Sequence, residues 1–404
     1  MNESESVSLP RLDGVRVLVL FGNNRMFGSE IGNLEVFRQM ATLGLRARFI
    51  TSSRWGHHEI QPALDRLGFG WTTAPFGYRW SKYMLGRDFG HFLLNLYGVV
   101  ATSWRLWREV RTWKPTHIYC MNWMFFTNAM PAILWSRLPL IYRAGDELPT
   151  HTRFHRWIVE KLSRRVNRVV CVSNFIRQGM LHTGFAEKKL TVVYSYPAGR
   201  PRKVSSPKLP AKPPGARVLI YVGRVSEAKG VVVLLDVVER LICQGENVVL
   251  WVVGSSDQGD KTCDELRKRV ELAGNQQRIF FLGHVEDVSN IYSQADIHIC
   301  PSVTTEALPH VVLEAKQFGK PSVVFPTGGI PELIEHEVDG YVCRAKTAEA
   351  LAEGIRFFLN DPEKRRLAGE AARRSLEEKF GEERFRRAWA EVFAESRRVE
   401  KLKS

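Results

Sequence analysis

Short runs of apolar, mostly β-branched residues alternate with longer helical patterns along the whole chain. In the first half, residues 15–22 (VRVLVLFG) predict a buried strand, and residues 30–44 predict a helix that ends at a glycine. The alternation starts again with residues 217–224 (RVLIYVGR) and a helix from about 230 to 243. Strands that are apolar throughout and separated by helices are typical of parallel sheets covered on both faces. The sequence therefore predicts an α/β protein with two Rossmann-like domains.

A stretch rich in proline, serine and cations, residues 196–216, separates the two series and is typical of a linker. At 404 residues and 44% apolar content, the chain is long enough for two domains of roughly 200 residues each. The tail carries Phe385, Trp389 and Phe393 on one face of a helical pattern. We expect a first domain at 1–197, a linker at 198–214 and a second domain at 215–384. A C-terminal helix at about 385–404 is expected to pack back onto the first domain.

The net charge of +15 is concentrated in the first half, which holds 27 Lys and Arg against 13 Asp and Glu in residues 1–200. An excess of cations of this size favours an anionic partner. Nucleic acid, an anionic membrane surface and an anionic substrate are the three classes that fit. The sequence contains no recognisable nucleic-acid-binding module, so we expect no nucleic acid. Residues 80–115 interleave tryptophans with arginines at helical spacing, which is typical of a helix in an anionic membrane interface. A core helix with a solvated basic edge is the alternative.

The compartment that the sequence favours is the cytoplasm, with peripheral contact with the inner face of the cell membrane. The polar, acidic N-terminus lacks the layout of a signal peptide. The longest apolar stretch, residues 92–104, is 13 residues long, whereas a membrane span needs about 20. The six cysteines are scattered without a C-x-x-C pair, which indicates free thiols and neither disulfides nor a zinc site.

Two cations follow the first strand of the second series, in YVGRVSEAKG. Arg224 supplies a planar fork and Lys229 a compact charge, and together they could hold a diphosphate. Ordinary surface charges are the alternative for this pair.

Two glutamates, Glu306 and Glu314, are eight positions apart in CPSVTTEALPHVVLEAKQFG. Leu308 and Pro309 mark the start of a helix, whose N-terminal amides favour a phosphate. Glu306 precedes that helix, and Glu314 lies about one turn inside it, where a carboxylate could accept hydrogen bonds from a ribose diol. The alternative is one glutamate that stabilises the helix dipole and one on the surface.

Two further turns follow predicted strands of the second series. Gly328 and Gly329, in FPTGGIPELI, permit close approach of the backbone to a ligand. Gly283 and Val285 belong to a similar turn in FLGHVED. Ordinary strand-to-helix turns are the alternative here.

These four motifs, in this order and spacing, resemble the retaining GT-B glycosyltransferases of family 4, the group 1 glycosyl transferases. The resemblance covers residues 217–385 closely and the first half loosely. It implies two Rossmann-like domains that face a cleft, and hexosyl transfer from a nucleoside-diphosphate sugar. It also implies that no metal is needed, and the chain has no D-x-D motif where a metal would be bound.

The resemblance assigns roles to the residues of the four motifs. Arg224 and Lys229 would bind the donor diphosphate, and Glu306 would hold the hydroxyls of the donor sugar. Glu314 would bind the ribose. The backbone at Gly283 to Val285 would meet the base.

The chain departs from the family pattern at two places. Ala307 stands where the family usually has glycine, and Gly145-Asp146 stands where many relatives carry a histidine that touches the donor sugar. In the first half, Gly28 and Ser29 resemble the acceptor-side loop, with a helix N-cap by Ser29 as the alternative.

The sequence thus predicts a retaining, metal-independent glycosyltransferase. A UDP- or GDP-linked sugar is the expected donor, and a lipid-linked or cell-envelope glycan, such as lipopolysaccharide, is the expected acceptor. A non-catalytic glycosyltransferase-like subunit or glycan-binding partner is the alternative, motivated by Ala307 and Gly145-Asp146.

Overall fold

The computed structural model describes residues 9–22, 28–54, 59–77, 89–197, 209–257 and 259–401. The chain divides into two compact units. The first comprises Met1–Ser195 and Glu382–Ser404, and the second comprises Tyr196–Gly381. Of the predicted linker, positions 198–208 lie outside the described residues.

The first unit contains a seven-stranded parallel sheet in the order β3-β2-β1-β4-β5-β6-β7. Its strands are β1 Arg16–Phe21, β2 Arg46–Ser52, β3 Gly70–Ala74, β4 His117–Cys120, β5 Leu140–Ala144, β6 Arg168–Cys171 and β7 Leu190–Val192. Its helices are α1 Gly28–Ala41, α2 Ile60–Arg66, α3 Phe89–Trp113, α4 Trp123–Ser136, α5 Arg153–Arg165, α6 Asn174–His182, a 3-10 turn at Glu187–Lys189 and the C-terminal α13 Glu382–Lys401.

Helix α13 follows the second unit in the chain but packs in the first. Trp389 is fully buried, with its ring 6.1 Å from Tyr119 of β4 and 5.9 Å from Phe393. Gln39 of α1 donates a hydrogen bond to Glu382 at 2.6 Å. An aromatic stripe at helical spacing therefore fixes the tail to this unit.

The second unit contains a six-stranded parallel sheet in the order β10-β9-β8-β11-β12-β13. Its strands are β8 Arg217–Val222, β9 Val248–Val253, β10 Ile279–Gly283, β11 Ile297–Cys300, β12 Ser322–Val324 and β13 Gly340–Val342. Its helices are α7 Val231–Cys243, α8 Thr262–Leu272, α9 Ser289–Gln294, α10 His310–Gln317, α11 Ala348–Leu359 and α12 Pro362–Phe380, with 3-10 turns at Glu227–Lys229 and Ile330–Leu333.

Both faces of this second sheet are covered, which explains why its strands are apolar at every position. Along β8, Leu219 and Tyr221 belong to one buried cluster, whereas Val218 and Ile220 belong to another. Successive side chains of a strand point to opposite faces, so a strand with a core on each side needs apolar residues throughout. The predicted fold class, two α/β domains with parallel sheets, is confirmed.

The strand order of the second unit changes direction between β8 and β11. Strands β9 and β10 extend the sheet to one side of β8, and β11 begins its extension to the other side. In open α/β sheets, ligands bind beyond the carboxyl ends of the strands at this kind of switch point. The loops that follow β8 and β11 therefore mark the expected site.

Among the described helices, none combines the length and the apolarity that crossing a membrane requires.

Candidate functional site

The site of the second unit centres on an ion pair that joins the two loops at the switch point. Lys229, at the end of the 3-10 turn after β8, donates its Nζ to Oε1 of Glu306, which follows β11. The Ser302 hydroxyl donates to the same Oε1 at 2.9 Å. Both side chains of the ion pair are largely but not fully buried, so a ligand can still reach them. The structure thus brings together two residues that are 77 positions apart in sequence.

Backbone geometry fixes the position of Lys229. Gly230 has φ +73°, and a Cβ there would lie 1.8 Å from the carbonyl oxygen of Pro301, directly after β11. The amides of Val303 and Thr304 donate to the carbonyl of Ala228 at 3.0 and 3.1 Å. Only glycine fits such a left-handed position at so close an approach. The two loops are therefore bonded to each other through their main chains.

Glu306 is held from its other side by the turn after β12. Gly328 has φ +58°, and a Cβ there would lie 2.1 Å from the Glu306 carbonyl oxygen. The Gly329 amide donates to that oxygen at 2.8 Å, and the Thr327 hydroxyl donates to the Ser302 carbonyl at 2.8 Å. The Gly328-Gly329 turn thus approaches the backbone of Glu306 closely.

Arg224 lies on the same strand end as Lys229 but pairs with a different carboxylate. Its guanidinium donates to Asp257, after β9, at 2.7 Å, and both side chains are about half exposed. The Tyr221 hydroxyl donates to the Arg224 carbonyl at 2.5 Å. Burial raises the pKa of Tyr221, the Glu306 carboxylate raises it further, and the Arg224 cation opposes both. The pKa of Tyr221 therefore depends on charges in both loops.

Glu314 lies in α10, in the second turn of the helix. Pro309 is the N-cap residue of α10, and Leu308 is buried next to it. Burial raises the pKa of Glu314 to about 7, and a hydrogen bond with Tyr292 partly opposes the rise. Glu314 as a whole residue retains some accessible surface, although its carboxyl group lies in a low-dielectric environment.

The turn after β10 lies beyond the third strand of this half of the sheet. Gly283 has φ +71° and accepts a hydrogen bond from the Gly254 amide at 2.7 Å, and the space where a Cβ would stand is open. Val285 is half-buried and packs against the cluster that contains Trp251. The backbone of this turn therefore borders the carboxyl edge, while the Val285 side chain serves the core.

The predicted acceptor-side residues belong to the first unit. Gly28 begins α1, and the Ser29 hydroxyl donates to Glu30 at 2.6 Å. Ser29 is thus the second residue of α1, whose first residue is Gly28. Asp146 is exposed and follows β5. Because β4 lies between β1 and β5, these positions follow strands about 10 Å apart along the sheet edge.

Sequence reasoning missed three side chains that complete the site, namely Asp257, Ser302 and Tyr292. Ser302 ends the CPS segment directly after β11, so its place at a strand end was a usable signal. The partner roles of Asp257 and Tyr292 depend on strand order, which no local pattern gives. Within the described ranges, no group of three or more His, Cys, Asp or Glu side chains is arranged to hold a metal ion.

Relatives of known name match parts of this chain. Spore coat protein SA of Bacillus subtilis is 30% identical over 188 residues, which are 45% of this chain and 50% of that protein. Glycogen synthase of Mycobacterium tuberculosis is 25% identical over 318 residues, 72% of this chain and 71% of that protein. The chain thus spans about half the length of the spore coat protein that it matches.

Solved structures share the fold over almost the whole chain. The HepE protein of Anabaena in complex with UDP has a TM-score of 0.75 at 18% identity, covering 95% of this chain and 100% of that one. A glycosyltransferase from Rickettsia africae has a TM-score of 0.75 at 18% identity, covering 95% and 98%. At such low identity these likenesses show the fold alone.

Family models match both halves of the chain. Residues 28–195 match "Glycosyltransferase Family 4", and residues 205–375 match "Glycosyl transferases group 1". The second match contains every donor-side residue described above, from Arg224 to Gly329. The chain therefore belongs to the GT-B glycosyltransferases of family 4, the group 1 glycosyl transferases.

Proposed function

We propose that this protein transfers a hexosyl group from a nucleoside-diphosphate sugar to an acceptor hydroxyl, with retention of configuration and without a metal ion. One observation carries the proposal: the Lys229–Glu306 pair lies at the switch point of the second sheet, where the two loops are bonded through their main chains. An anion-binding cation and a hydroxyl-binding carboxylate side by side suit a ligand with a phosphate next to a sugar.

The diphosphate is the part of the donor that the cations bind. Lys229 offers a compact charge, Arg224 a planar fork, and the amides at the start of α10 a partial positive charge. As the bond between the sugar and the diphosphate breaks, negative charge grows on the departing oxygen, and these groups stabilise it. They would perform the work for which other transferases use a divalent cation.

Glu306 is oriented to hold the donor sugar. Both contacts of its carboxylate, from Lys229 and from Ser302, go to Oε1. Oε2 takes part in neither and is the atom that we assign to the sugar hydroxyls. The side chain is fixed before the donor arrives, so little conformational entropy is lost on binding.

Glu314 is assigned to the ribose of the donor. Its carboxylate could accept hydrogen bonds from both ribose hydroxyls, which requires the ionised form. Burial raises the pKa of this carboxyl group to about 7, and donation from the ribose would stabilise the ionised form. The backbone at Gly283 to Val285 is assigned to the base.

The transfer step that we propose needs no nucleophilic carboxylate. The acceptor oxygen forms its bond with the anomeric carbon on the face from which the diphosphate leaves. The bond between that carbon and the phosphate oxygen breaks, and the acceptor proton passes to the departing phosphate oxygen. Glu306 holds the sugar and does not attack it.

UDP is our first choice of donor nucleotide, because structures of the Anabaena HepE protein contain UDP and UDP-glucose; GDP is the second. The acceptor that we propose is a lipid-linked or cell-envelope glycan. The similar fold of WaaG, a glycosyltransferase involved in lipopolysaccharide biosynthesis, supports this acceptor class. The enzyme would act in the cytoplasm, in peripheral contact with the anionic inner face of the membrane.

The test begins with a panel of UDP- and GDP-sugars, scored by thermal shift, because a matching donor stabilises the folded protein. With the matching donor, Glu306→Ala should abolish transfer and Glu306→Gln should lower it by about 100-fold or more, while both retain the unfolding midpoint of the wild type. Glu271→Gln, an exposed glutamate at the end of α8, is the matched control. Retained turnover in Glu306→Ala would refute the role of Glu306.

Ala307 and Gly145-Asp146 favour one other function, a non-catalytic glycosyltransferase-like subunit that binds glycans. Donor hydrolysis in the absence of an acceptor separates the two functions. A catalytic protein should release UDP slowly from UDP-sugar and lose this release on Glu306→Ala. A non-catalytic subunit should bind the nucleotide sugar without releasing UDP.

A further inference from the structure

Helix α3 of the first unit has its polarity reversed relative to an ordinary surface helix. Its buried stripe is mostly polar: Asn95 and Thr102 are fully buried together with Leu106, and Glu109 is nearly so. Large apolar side chains are exposed on the opposite side, at 61% for Tyr97 and 62% for Val100. A helix on a water-facing surface shows the reverse arrangement, with its apolar stripe towards the core.

The exposed side chains form one continuous surface with the end of α4. The Trp107 and Trp135 rings are 6.3 Å apart, and the Arg111 guanidinium lies 5.4 Å from the centroid of each. Nine of the seventeen exposed large apolar side chains among the described residues lie on these two helices. We call them the α3–α4 surface: Leu93, Leu94, Leu96, Tyr97, Val100, Trp104, Trp107, Leu134 and Trp135.

Charge is confined to one end of this surface. From position 89 to Trp104, α3 has no Asp, Glu, Lys or Arg, whereas Arg105, Arg108 and Arg111 follow within the next seven positions. Arg105 and Arg108 lie 5.6 and 5.7 Å from the centroid of the Trp104 ring. The helix therefore runs from an apolar half, through tryptophan, to a cationic half.

We propose that the α3–α4 surface inserts into the headgroup and upper acyl region of an anionic lipid membrane. Apolar side chains enter the acyl region, tryptophans favour the boundary, and arginines bind lipid phosphates. Helices packed in lipid place small and polar residues towards each other and apolar ones outward, which matches the buried Asn95, Gly98 and Thr102. At 25 residues, α3 is about 37 Å long and can lie in the interface without spanning it.

Two other occupants fit the surface less well. A second copy of this chain, docked through the same patch with the helices parallel, would bring two arginine rows close together, which repels; docked with the helices antiparallel, it would place each arginine row against an apolar half that offers no anion. If the α3–α4 surface faced only water, its apolar area would stay unburied, and soluble monomers rarely expose a large contiguous apolar patch. An anionic lipid surface satisfies both the apolar half and the cationic half.

Helix α3 is anchored in the unit at its cationic half, where Glu109 forms an ion pair with Arg48 of β2 at 3.3 Å. Substitutions on the exposed stripe therefore leave its attachment to the sheet intact. The α3–α4 surface is the part of the protein that would make the membrane contact in the proposed function, on which this inference rests. Vesicle binding by this surface can be tested without sugar transfer.

The test is co-sedimentation of the full chain with vesicles of phosphatidylglycerol and phosphatidylethanolamine, and with phosphatidylcholine alone. The wild type should bind the anionic vesicles, and the double variant Tyr97→Ser/Val100→Ser should bind them about 100-fold more weakly. Leu272→Ser, which alters the most exposed leucine of α8, is the matched apolar control and should bind as the wild type does.

A second variant tests the charges. Arg105→Gln/Arg108→Gln/Arg111→Gln should lose about 100-fold of its affinity for anionic vesicles, with Lys268→Gln as the matched cationic control. Bromine-labelled acyl chains should quench the tryptophan fluorescence of the wild type, and Trp104→Phe should reduce the quenching. Adsorption to the headgroups alone would not bring the tryptophans close enough to the acyl chains for quenching.

The proposal is overturned if the wild type does not bind anionic vesicles, or if Tyr97→Ser/Val100→Ser binds them equally well. A concentration-dependent dimer in analytical ultracentrifugation that the same variant abolishes, without vesicle binding, would assign the surface to a second copy instead. Nucleotide affinity and the unfolding midpoint should be unchanged in every variant, which separates failure of this inference from failure of the donor site.

Discussion

The contact of Gly328 with the backbone of Glu306 allows the donor site to be displaced without touching any side chain in it. A Cβ at Gly328 would lie 2.1 Å from the Glu306 carbonyl oxygen, whereas ordinary contacts begin at 3.4 Å. In Gly328→Ala, one of the two backbones must therefore move by about 1 Å, since the atom that is met is main chain. The Gly329 amide is bonded to the same oxygen, so the movement is transmitted to Glu306.

The substitution has two separable costs. Alanine in the left-handed conformation, here φ +58°, costs about 1–2 kcal/mol of folding free energy. A displacement of about 1 Å at a positioning group costs about 100-fold in turnover. Gly274→Ala is the matched control, because Gly274 has φ +70° and open space where the Cβ would stand. It has the same backbone strain and displaces nothing.

The assay compares both variants in urea unfolding, in binding of UDP and UDP-sugar, and in transfer. Both should lose about 1–2 kcal/mol of stability, and Gly328→Ala should lose more because of the clash. Only Gly328→Ala should lose turnover, by about 100-fold, with UDP affinity nearly retained because Glu314 is not displaced. Transfer by Gly328→Ala within a few-fold of Gly274→Ala would refute the argument that the turn positions Glu306.

Three further experiments test other parts of the structure. Because burial raises the pKa of Glu314 from 4.5 to about 7, the stabilising contribution of the protonated form is lost as the pH rises through that window. Glu314→Gln should therefore raise the urea midpoint at pH 7.5, leave it unchanged at pH 4.5 and weaken nucleotide binding at pH 7.5; an unchanged midpoint at pH 7.5 would contradict it. Lys316 and Asp339 form a buried ion pair at 2.5 Å, so Lys316→Met should cost about 3–5 kcal/mol in urea unfolding, and adding Asp339→Leu should restore most of it. Trp389→Ala, which empties the contact of α13 with the first sheet, should cost about 3–5 kcal/mol by the same measurement; a loss below 1 kcal/mol would show that the helix is not held by this side chain.

Local sequence patterns predicted the elements of the site well, because each depends on neighbouring residues. The predicted helix from about 230 to 243 is α7, Val231–Cys243, and the predicted helix after Pro309 is α10, His310–Gln317. Proline at a helix start, glycine after a strand and continuous apolar runs all act over a few positions. The placement of Glu314 one turn inside its helix followed from these signals.

The pairing of side chains could not be predicted, because it depends on strand order. Lys229 follows β8 and Glu306 follows β11, and two strands lie between them in the chain. Only the crossover that places β11 next to β8 makes these loops neighbours. Arg224 was expected to share the diphosphate site with Lys229, and the structure shows it bonded to Asp257 after β9.

The buried face of α3 also lay beyond local patterns. The helical pattern within residues 80–115 corresponds to α3, Phe89–Trp113. The sequence shows an apolar stripe and a polar stripe, and burying either one is compatible with the same spacing. The structure buries the stripe that contains Asn95 and Thr102, a choice that tertiary packing alone determines.

The two proposed anionic partners are served by two different arrangements of charge. Residues 201–404 hold 31 Lys and Arg against 30 Asp and Glu, so in our proposal the second unit binds a diphosphate through a few cations at one edge of its sheet, and its mean charge contributes little. Lys229 is mostly buried beside a carboxylate, where salt screens it weakly. Residues 1–200 carry the excess of cations, and the exposed arginines of α3 act on a broad anionic surface within a Debye length of about 8 Å. A soluble donor and an extended lipid surface make separate electrostatic demands, and the two proposals assign them to separate units.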